Sequence, residues 1–311
     1  MTSRRLFLKE LTGAVLVSGA ARVHGAQLTP LQVAYAGSMG ALMDRGMRPA
    51  VADHLGIALR GRGQGAFALA RLIAADSIRP DVFISITPAP MSLLLKAGRI
   101  DRAIPVARTE MVLAYSEHSR FSRALASAGP RHAWWRVLER PSFRFGRTDP
   151  RTDPQGLNIV FMMELAQRYY GVPGLARRIL GPLENRRQIF PEAEVMARLQ
   201  SAQLDAASAY KTQPSSLGLP FLTLPPEINL GDARMEPRYR SVSVTMHGTV
   251  YRPQLLVFYA AVLRNAPSPT VAKRFVAWLL SPGARAVFSR YHYDTPDGAP
   301  PLVSAASMSD Q

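Results

Sequence analysis

The chain has 311 residues, which corresponds to two domains of average size or one large domain. Its residues are 47% hydrophobic and 19% charged, and this composition excludes an intrinsically disordered chain. It contains no cysteine, so disulfides, thiolate metal sites and thiol nucleophiles are excluded. The formal net charge is +16, but arginine supplies most of the basic residues, and we expect no nucleic-acid partner.

Residues 1–26 have the pattern of an export signal. Arg4 and Arg5 are followed by a short apolar run at 11–17 and then by small residues. This order predicts a secretory signal peptide, and paired arginines before Phe-Leu-Lys are typical of the twin-arginine type. A membrane anchor is the alternative, although the apolar run is too short to cross about 30 Å of hydrocarbon. We therefore predict an exported protein located in the periplasm.

Strand-like and helix-like segments alternate in the next part of the chain. The pattern predicts strands at 31–36, 57–60 and 81–86 and helices at 39–53, 66–75 and 91–97. Alternation of this kind is typical of a parallel sheet with helices on both faces. We therefore predict a doubly wound α/β fold for this part.

The rest of the chain also mixes both element types. The pattern predicts strands at 143–146, 206–210 and 250–261 and helices at 157–170, 192–203, 269–280 and 283–291. Proline, glycine, serine and alanine dominate from Pro296 onward, and we expect residues 296–311 to form a flexible tail.

Three loops place small residues before a predicted helix start. They lie at 36–39, 63–66 and 153–156, and the first contains Ser38. The first N–H groups of a helix have no partner within it and carry a partial positive charge, so such loops bind anions. Loops that converge at the carboxyl ends of strands form the ligand sites of open α/β sheets. The simpler interpretation of Ser38 is an ordinary helix N-cap.

Two motifs are more specific. They are Asp-Pro-x-x-Asp-Pro-x-Gly at 149–156 and Pro-Pro-Glu-Ile-Asn-Leu at 225–230. Together with Ala-Gly-Ser at 36–38 and Tyr-Lys-Thr at 210–212, they resemble the periplasmic molybdate- and tungstate-binding proteins of ABC importers, especially the tungstate-binding branch. These landmarks follow the family order over nearly all of residues 31–291.

The resemblance implies a type II periplasmic-binding-protein fold, in which two α/β lobes, each a doubly wound sheet flanked by helices, hold the ligand in the cleft between them. It implies that residues 27–108 and 247–295 form lobe 1 and that residues 109–246 form lobe 2. It also implies a set of ligand-binding residues: Gly37, Ser38, Met39, Gly65, Ala66, Ser85, Asp153, Gly156 and Tyr210.

Three of these residues match family positions of known role. Ser38 matches a serine that donates its hydroxyl and N–H groups to oxyanion oxygens. Asp153 matches an aspartate that in the tungstate branch can coordinate the metal centre of the oxyanion. Tyr210 matches a tyrosine that lies against the bound anion.

The chain departs from the family pattern at three positions. A second-loop serine is replaced by Ala66, an aspartate by Thr87, and the glutamate that supplies a second carboxylate ligand by Ala209. Because a lone carboxylate beside a dianion is repulsive, we expect a tetrahedral oxyanion held mainly by neutral donors, with no pair of carboxylates on the metal.

We therefore expect a monomeric solute-binding protein that delivers molybdate or tungstate to an ABC permease and its ATPase, with no cofactor and no catalytic activity. Another anion such as sulfate is one alternative. A secreted serine hydrolase is a second, since the segment around Ser38 differs by one residue from a nucleophile elbow. Its partners would come from Asp205 or Asp232 and from His247 or His292.

Two further features have open interpretations. Arg147 lies beside the third loop, where it would either close an electrostatic cleft or form a solvated surface side chain. Trp134 and Trp135 lie among basic residues. Aromatic and basic side chains together can stack on nucleic acid, but the apolar face of a helix ending before Pro141 is the favoured interpretation.

Overall fold

The computed structural model describes residues 28–129 and 133–304 of the chain. The predicted signal peptide, residues 1–26, lies outside these ranges, and so does the end of the predicted tail, residues 305–311. Strands and helices alternate through the described residues, which confirms the α/β class.

The described strands are β1 (Thr29–Ala36), β2 (Ile57–Gln64), β3 (Val82–Ile86), β4 (Arg102–Arg108), β5 (Met111–Tyr115), β6 (Phe145–Gly146), β7 (Ala206–Tyr210), β8 (Phe221–Thr223), β9 (Val244–Met246), β10 (Thr249–Tyr251), β11 (Val257–Val262) and β12 (Leu302–Val303). The described α-helices are α1 (Arg48–Leu55), α2 (Ala66–Ala74), α3 (Pro88–Lys96), α4 (Ser122–Ser127), α5 (Trp135–Leu138), α6 (Pro154–Tyr169), α7 (Leu175–Leu180), α8 (Glu192–Gln200), α9 (Thr212–Leu217), α10 (Glu236–Tyr239), α11 (Pro269–Trp278) and α12 (Pro282–Arg290). A 3-10 turn covers Gly37–Met39, a second covers Ala233–Met235, and a π-helix covers Leu42–Met47.

Two mixed sheets organise the molecule. The first has the order β12-β4-β11-β3-β1-β2, in which β1 is parallel to β2 and β3 while β11 is antiparallel to β3 and β4. The second has the order β6-β7-β5-β8, with β6 and β7 parallel and β5 antiparallel to both of its neighbours. The parallel arrangement predicted for the first region is confirmed for β1, β2 and β3, and the sheet becomes mixed where the later strand β11 joins it. A parallel pair requires a crossover connection, whereas β11 enters the first sheet after an excursion through the second.

The chain passes twice between these sheets. The strands β4 and β5 are consecutive but lie in different sheets, so the first passage runs through Thr109 and Glu110. The predicted return at residue 247 falls at the tip of the β9–β10 hairpin, and pairing with the first sheet resumes at Val257. We call the body around the first sheet lobe 1 and the body around the second sheet lobe 2.

The predicted flexible tail is wrong for its described part. Leu302 and Val303 form β12, which pairs with Ala103 and Arg102 of β4. Pairing satisfies backbone groups along an otherwise open sheet edge. This strand therefore ties the end of the described chain to lobe 1.

The tryptophans belong to the core of lobe 2. Trp134 and Trp135 are both buried, and the Trp134 indole N–H donates to the Tyr170 hydroxyl at 3.1 Å. The interpretation of this segment as the apolar face of a helix is confirmed, since α5 begins at Trp135 and ends before Pro141.

Over the described residues, no helix combines the length and the apolar character that crossing a membrane requires.

Candidate functional site in the cleft between the lobes

The first strand ends in the 3-10 turn that carries Ser38. Ser38 and Met39 of this turn are buried. The Ser38 Oγ is buried, makes no hydrogen bond of normal geometry with any residue that the structure describes, and forms no capping bond. The N-cap interpretation of Ser38 is therefore wrong. A buried hydroxyl without a partner costs free energy, which a ligand oxygen at this position would recover.

The second glycine loop lies beside this turn. Gly65 precedes α2, whose first residue, Ala66, is buried. A Cβ built on Gly37 would lie 3.6 Å from the carbonyl carbon of Gln64, so the two loops are neighbours. The first N–H groups of α2 have no partner within the helix. We use the name cradle for Gly37, Ser38, Met39 and Gly65.

Lobe 2 brings Asp153 to the cradle. Asp153 caps α6, since its Oδ1 accepts a hydrogen bond from the Gln155 N–H at 2.9 Å, while its Oδ2 is buried and makes no hydrogen bond of normal geometry in the described part of the chain. A Cβ built on Gly65 would lie 3.3 Å from the Asp153 Cβ. Burial raises the pKa of Asp153 to about 6, although the Gln155 N–H acts in the opposite direction.

The two lobes touch beside Asp153. The Ala68 N–H donates to the Thr152 carbonyl at 3.1 Å, and the Arg71 Nη1 donates to the Arg151 carbonyl at 2.9 Å. A Cβ on Gly65 would lie only 2.6 Å from the Thr152 carbonyl oxygen. Glycine at position 65 therefore allows the backbones of the two lobes to approach each other closely.

A second carboxyl group, that of Glu192, reaches the cradle from lobe 2. Glu192 is the first residue of α8, its Oε2 is buried without a partner, and a Cβ on Gly37 would collide with that atom. Burial raises the pKa of Glu192 well above its usual range, and the charge of Asp153 raises it further. Asp153 is therefore not the only carboxyl group beside the cradle, and the absence of a carboxylate pair on the metal stays a prediction.

Tyr210 and Gly156 support this arrangement from lobe 2. Tyr210 ends β7, is fully buried, and its hydroxyl accepts a hydrogen bond from the Asn158 Nδ2 at 3.0 Å. Burial raises its pKa, and the negative charges of Asp153 and Glu192 raise it further. A Cβ on Gly156 would collide with the Thr148 carbonyl oxygen, so this glycine shapes the loop before α6.

Ser85 is held apart from this group. It lies within β3, and its buried hydroxyl donates to the Ile86 carbonyl at 3.0 Å. The Ser85 hydroxyl proton, which the resemblance assigned to a ligand, is therefore used within the protein.

Two cavities border the cradle. One of about 610 Å³ is lined by Gly37, Gly65, Asp153 and Glu192, and one of about 220 Å³ is lined by Gly37, Ser38 and Glu192.

Arg147 is neither a surface residue nor a wall of these cavities. It is fully buried, and its Nη2 donates to the carbonyls of Pro182 and Leu183 at 3.0 and 2.7 Å. Burial lowers its pKa to about 10. Its backbone N–H donates to the Gln188 carbonyl at 2.8 Å, and its carbonyl accepts from the Phe190 N–H at 3.0 Å. Arg147 therefore fixes the segment that leads into α8 and Glu192.

Three of the four residues considered as partners of a nucleophilic Ser38 are engaged elsewhere. Asp205 accepts hydrogen bonds from the Ser119 hydroxyl at 2.7 Å and from Arg144, and His247 lies 3.1 Å from a carboxylate oxygen of Glu184. Asp232 is paired with Arg234. Across residues 28–129 and 133–304, no cluster of three or more His, Asp or Glu side chains is placed to hold a metal ion. The groups that face the cradle are thus two carboxyls and a set of neutral donors.

Comparison with known proteins agrees with this architecture. The family described as bacterial extracellular solute-binding protein matches residues 31–294. The molybdate/tungstate-binding protein WtpA of Pyrococcus abyssi is 28% identical over 65% of this chain and 64% of its own length. The protein of the same name from Thermococcus kodakarensis is 30% identical over 65% of this chain and 62% of its own length. The aligned part therefore spans less than two thirds of either relative.

A solved structure shows the same fold. The periplasmic molybdate-binding protein of Azotobacter vinelandii superposes with a TM-score of 0.59 at 15% identity, covering 85% of this chain and 98% of that chain. At this level of identity the likeness concerns the fold, which is the two-lobed type II architecture.

Proposed function

Since the chain belongs to the bacterial extracellular solute-binding protein family, we propose that its cleft captures a small tetrahedral oxyanion, molybdate or tungstate. The observation that carries this proposal is the buried Ser38 hydroxyl, which makes no hydrogen bond that satisfies normal geometry within the described residues and is therefore available to an oxygen of a ligand. The names of the relatives, which describe molybdate- and tungstate-binding proteins, support the same ligand class.

The cradle is suited to an oxyanion because its donors belong to the backbone and to one hydroxyl. Glycine at 37 and 65 keeps side chains away from the N–H groups, and helix-start N–H groups attract negative charge. Ser38 adds a donor that is fixed in a buried turn. Lobe 2 then covers the anion, with Asp153 approaching Gly65 and Tyr210 buried behind it.

The proposal extends to location and partners. We infer that the chain is exported to the periplasm by a signal of the twin-arginine type, works there as a monomer, and delivers its anion to an ABC permease and its ATPase. This role requires binding and release of the anion and no covalent chemistry. It accords with the extracellular solute-binding family to which the chain belongs.

Titration calorimetry of the purified mature protein tests the proposal. Molybdate, tungstate, sulfate and phosphate are titrated in parallel, and we expect saturable binding of molybdate or tungstate at one site per chain. A bound anion raises the melting temperature by mass action, which provides a second measurement. Absence of both a calorimetric signal and a melting shift for all four anions would rule out this ligand class.

A further inference from the structure

The carboxyl group of Glu192 occupies the space against the first cradle turn. A side chain at Gly37 would collide with the Glu192 Oε2, which is buried and has no hydrogen-bond partner. The Ser38 N–H and hydroxyl lie close enough to this carboxyl to counteract part of the rise in its pKa. The carboxyl therefore lies where oxygens of an anion held by Ser38 would lie.

The backbone that carries Glu192 is fixed to lobe 2. Arg147 holds the preceding segment through the Gln188 carbonyl and the Phe190 N–H, and the ring of Pro191, directly before Glu192, fixes the φ angle of that proline. This anchoring leaves the side chain of Glu192 as the part that can move. With the lobes in this arrangement, the carboxyl group can leave the cradle by rotation of the side chain.

The Glu192 carboxyl group and an oxyanion cannot occupy this space together. The two groups exclude each other sterically whatever the protonation state of Glu192, since the carboxyl already fills the space against Gly37. There is room for the Glu192 carboxyl to withdraw, because this partly exposed residue lines both the cavity of about 610 Å³ and the cavity of about 220 Å³.

We propose that Glu192 is an intramolecular competitor for the oxyanion: its carboxyl group occupies the cradle until an incoming anion displaces it into a flanking cavity. This inference rests on the proposed function, since it concerns the same cradle. It makes Glu192 an affinity-determining residue that opposes binding. An anion must interact with the Ser38 turn more favourably than the chain's own carboxyl group does, so weakly held anions are excluded.

The test compares Glu192→Gln and Glu192→Ala with the unaltered protein in titrations with tungstate and sulfate at constant pH. Glu194→Gln is the matched control, because Glu194 lies on the same helix, is exposed, and pairs with Arg198 at 3.0 Å. It removes the same charge from α8 without touching the cradle. Thermal unfolding of each variant verifies that the fold is retained.

We expect both Glu192 variants to bind tungstate at least tenfold more tightly than the unaltered protein, and the control to stay within twofold. Affinity that is unchanged or lower in the Glu192 variants would overturn the inference, and a loss would identify the carboxyl as a ligand of the anion. Those results leave the proposed function intact, because the unaltered protein still binds. Failure of every protein to bind either anion would contradict both proposals.

Discussion

Lobe 1 meets the cleft with backbone N–H groups and one hydroxyl, whereas lobe 2 meets it with two carboxyl groups. The lobe 1 face is built from Gly37, Ser38 and Gly65, and the lobe 2 face presents Asp153 and Glu192. Neutral donors attract an oxyanion, and carboxylates repel it. The comparison indicates that the neutral donors of lobe 1 attract the oxyanion, whereas the carboxyl groups of lobe 2 limit which anions are held.

Substitutions at two glycines distinguish closure of the cleft from folding of lobe 2. We expect them to have the largest effects on stability and on anion binding. In Gly156→Ala the new Cβ collides with the Thr148 carbonyl oxygen of the same lobe, which should lower the free energy of unfolding by about 3 kcal/mol. In Gly65→Ala the new Cβ lies 2.6 Å from the Thr152 carbonyl oxygen of the other lobe. This variant should fold normally but bind the oxyanion at least tenfold more weakly.

Chemical denaturation and calorimetry on both variants distinguish these outcomes. The two substitutions add the same methyl group, so each controls for the other. A large loss of stability in Gly65→Ala, with affinity retained, would show that the contact between Gly65 and Thr152 belongs to the fold and not to closure.

The buried carboxyl group of Asp153 on the lobe 2 face predicts that the stability of the anion-free protein depends on pH. Burial raises the pKa of Asp153 from 3.8 to about 6, so the folded protein binds this proton more tightly than the unfolded chain. The resulting stabilisation is fully present below pH 3.8 and is lost as pH rises through about 6. A difference of about two pKa units corresponds to about 3 kcal/mol.

Unfolding free energies between pH 4 and 8 measure this effect against Asp153→Asn, which cannot titrate. We expect the variant to lose less stability than the unaltered protein as pH rises through 6. Identical pH profiles would show that the Asp153 carboxyl is not held in its neutral form, and would remove one of the two differences between the lobes.

The substitution Ser38→Ala tests the hydrogen-bond donors on the lobe 1 face. The Ser38 hydroxyl makes no hydrogen bond of normal geometry among residues 28–129 and 133–304, so removing it should change the free energy of unfolding by less than about 1 kcal/mol. Binding of tungstate should weaken by about tenfold, the cost of one lost hydrogen bond to a charged ligand. Equal losses of stability and affinity would mean that Ser38 supports the turn and does not serve the anion.

The smallest effect is expected at the hydrogen bond between Arg71 and the Arg151 carbonyl, which joins the lobes at the surface. Because this contact is exposed, Arg71→Ala should weaken oxyanion binding by less than about threefold. Arg274→Ala is the control, since Arg274 donates to the Leu55 carbonyl at 3.2 Å within lobe 1. A larger effect in the control than in Arg71→Ala would contradict a role in closure.

Local sequence patterns predicted many of the elements. The strand at 206–210 has the predicted bounds, and the helix starts at Ala66 and Glu192 were also predicted. Local pattern failed where tertiary contacts decide the structure. The local sequence around Gly61 and Gly63 predicts a loop. The strand β2 nevertheless continues through both glycines, because the ring of Tyr35 packs over them.

Prolines account for two further differences. The pattern gave no strand at β4, which contains Pro105 and pairs with β11 through a register shift. The predicted strand at 250–261 is divided into β10 and β11 around Pro253, which has no N–H to donate to a sheet. Such positions depend on which backbone groups a neighbouring strand requires, and one segment of sequence does not contain that information.

The candidate site was only partly predictable. Ser38, Asp153 and Tyr210 came from the family resemblance; the structure places Ser38 beside Glu192, and Tyr210 within electrostatic range of Asp153 and Glu192. Glu192 was missed because its approach to Gly37 depends on the path of residues 182–191, which the buried Arg147 fixes from another part of the chain. A buried arginine bonded to carbonyls has no signature in the local sequence.

The central claim is that lobe 1 holds the oxyanion at the Ser38 turn, and anomalous diffraction from a tungstate-soaked crystal tests it most directly, because tungsten is located without prior assumptions. We predict a single strong peak against Gly37–Met39, with an anion oxygen in hydrogen-bond contact with the Ser38 Oγ and the Glu192 carboxyl withdrawn. A peak elsewhere, such as in the separate cavity of about 1080 Å³ lined by Thr87 and Arg252, would contradict this account.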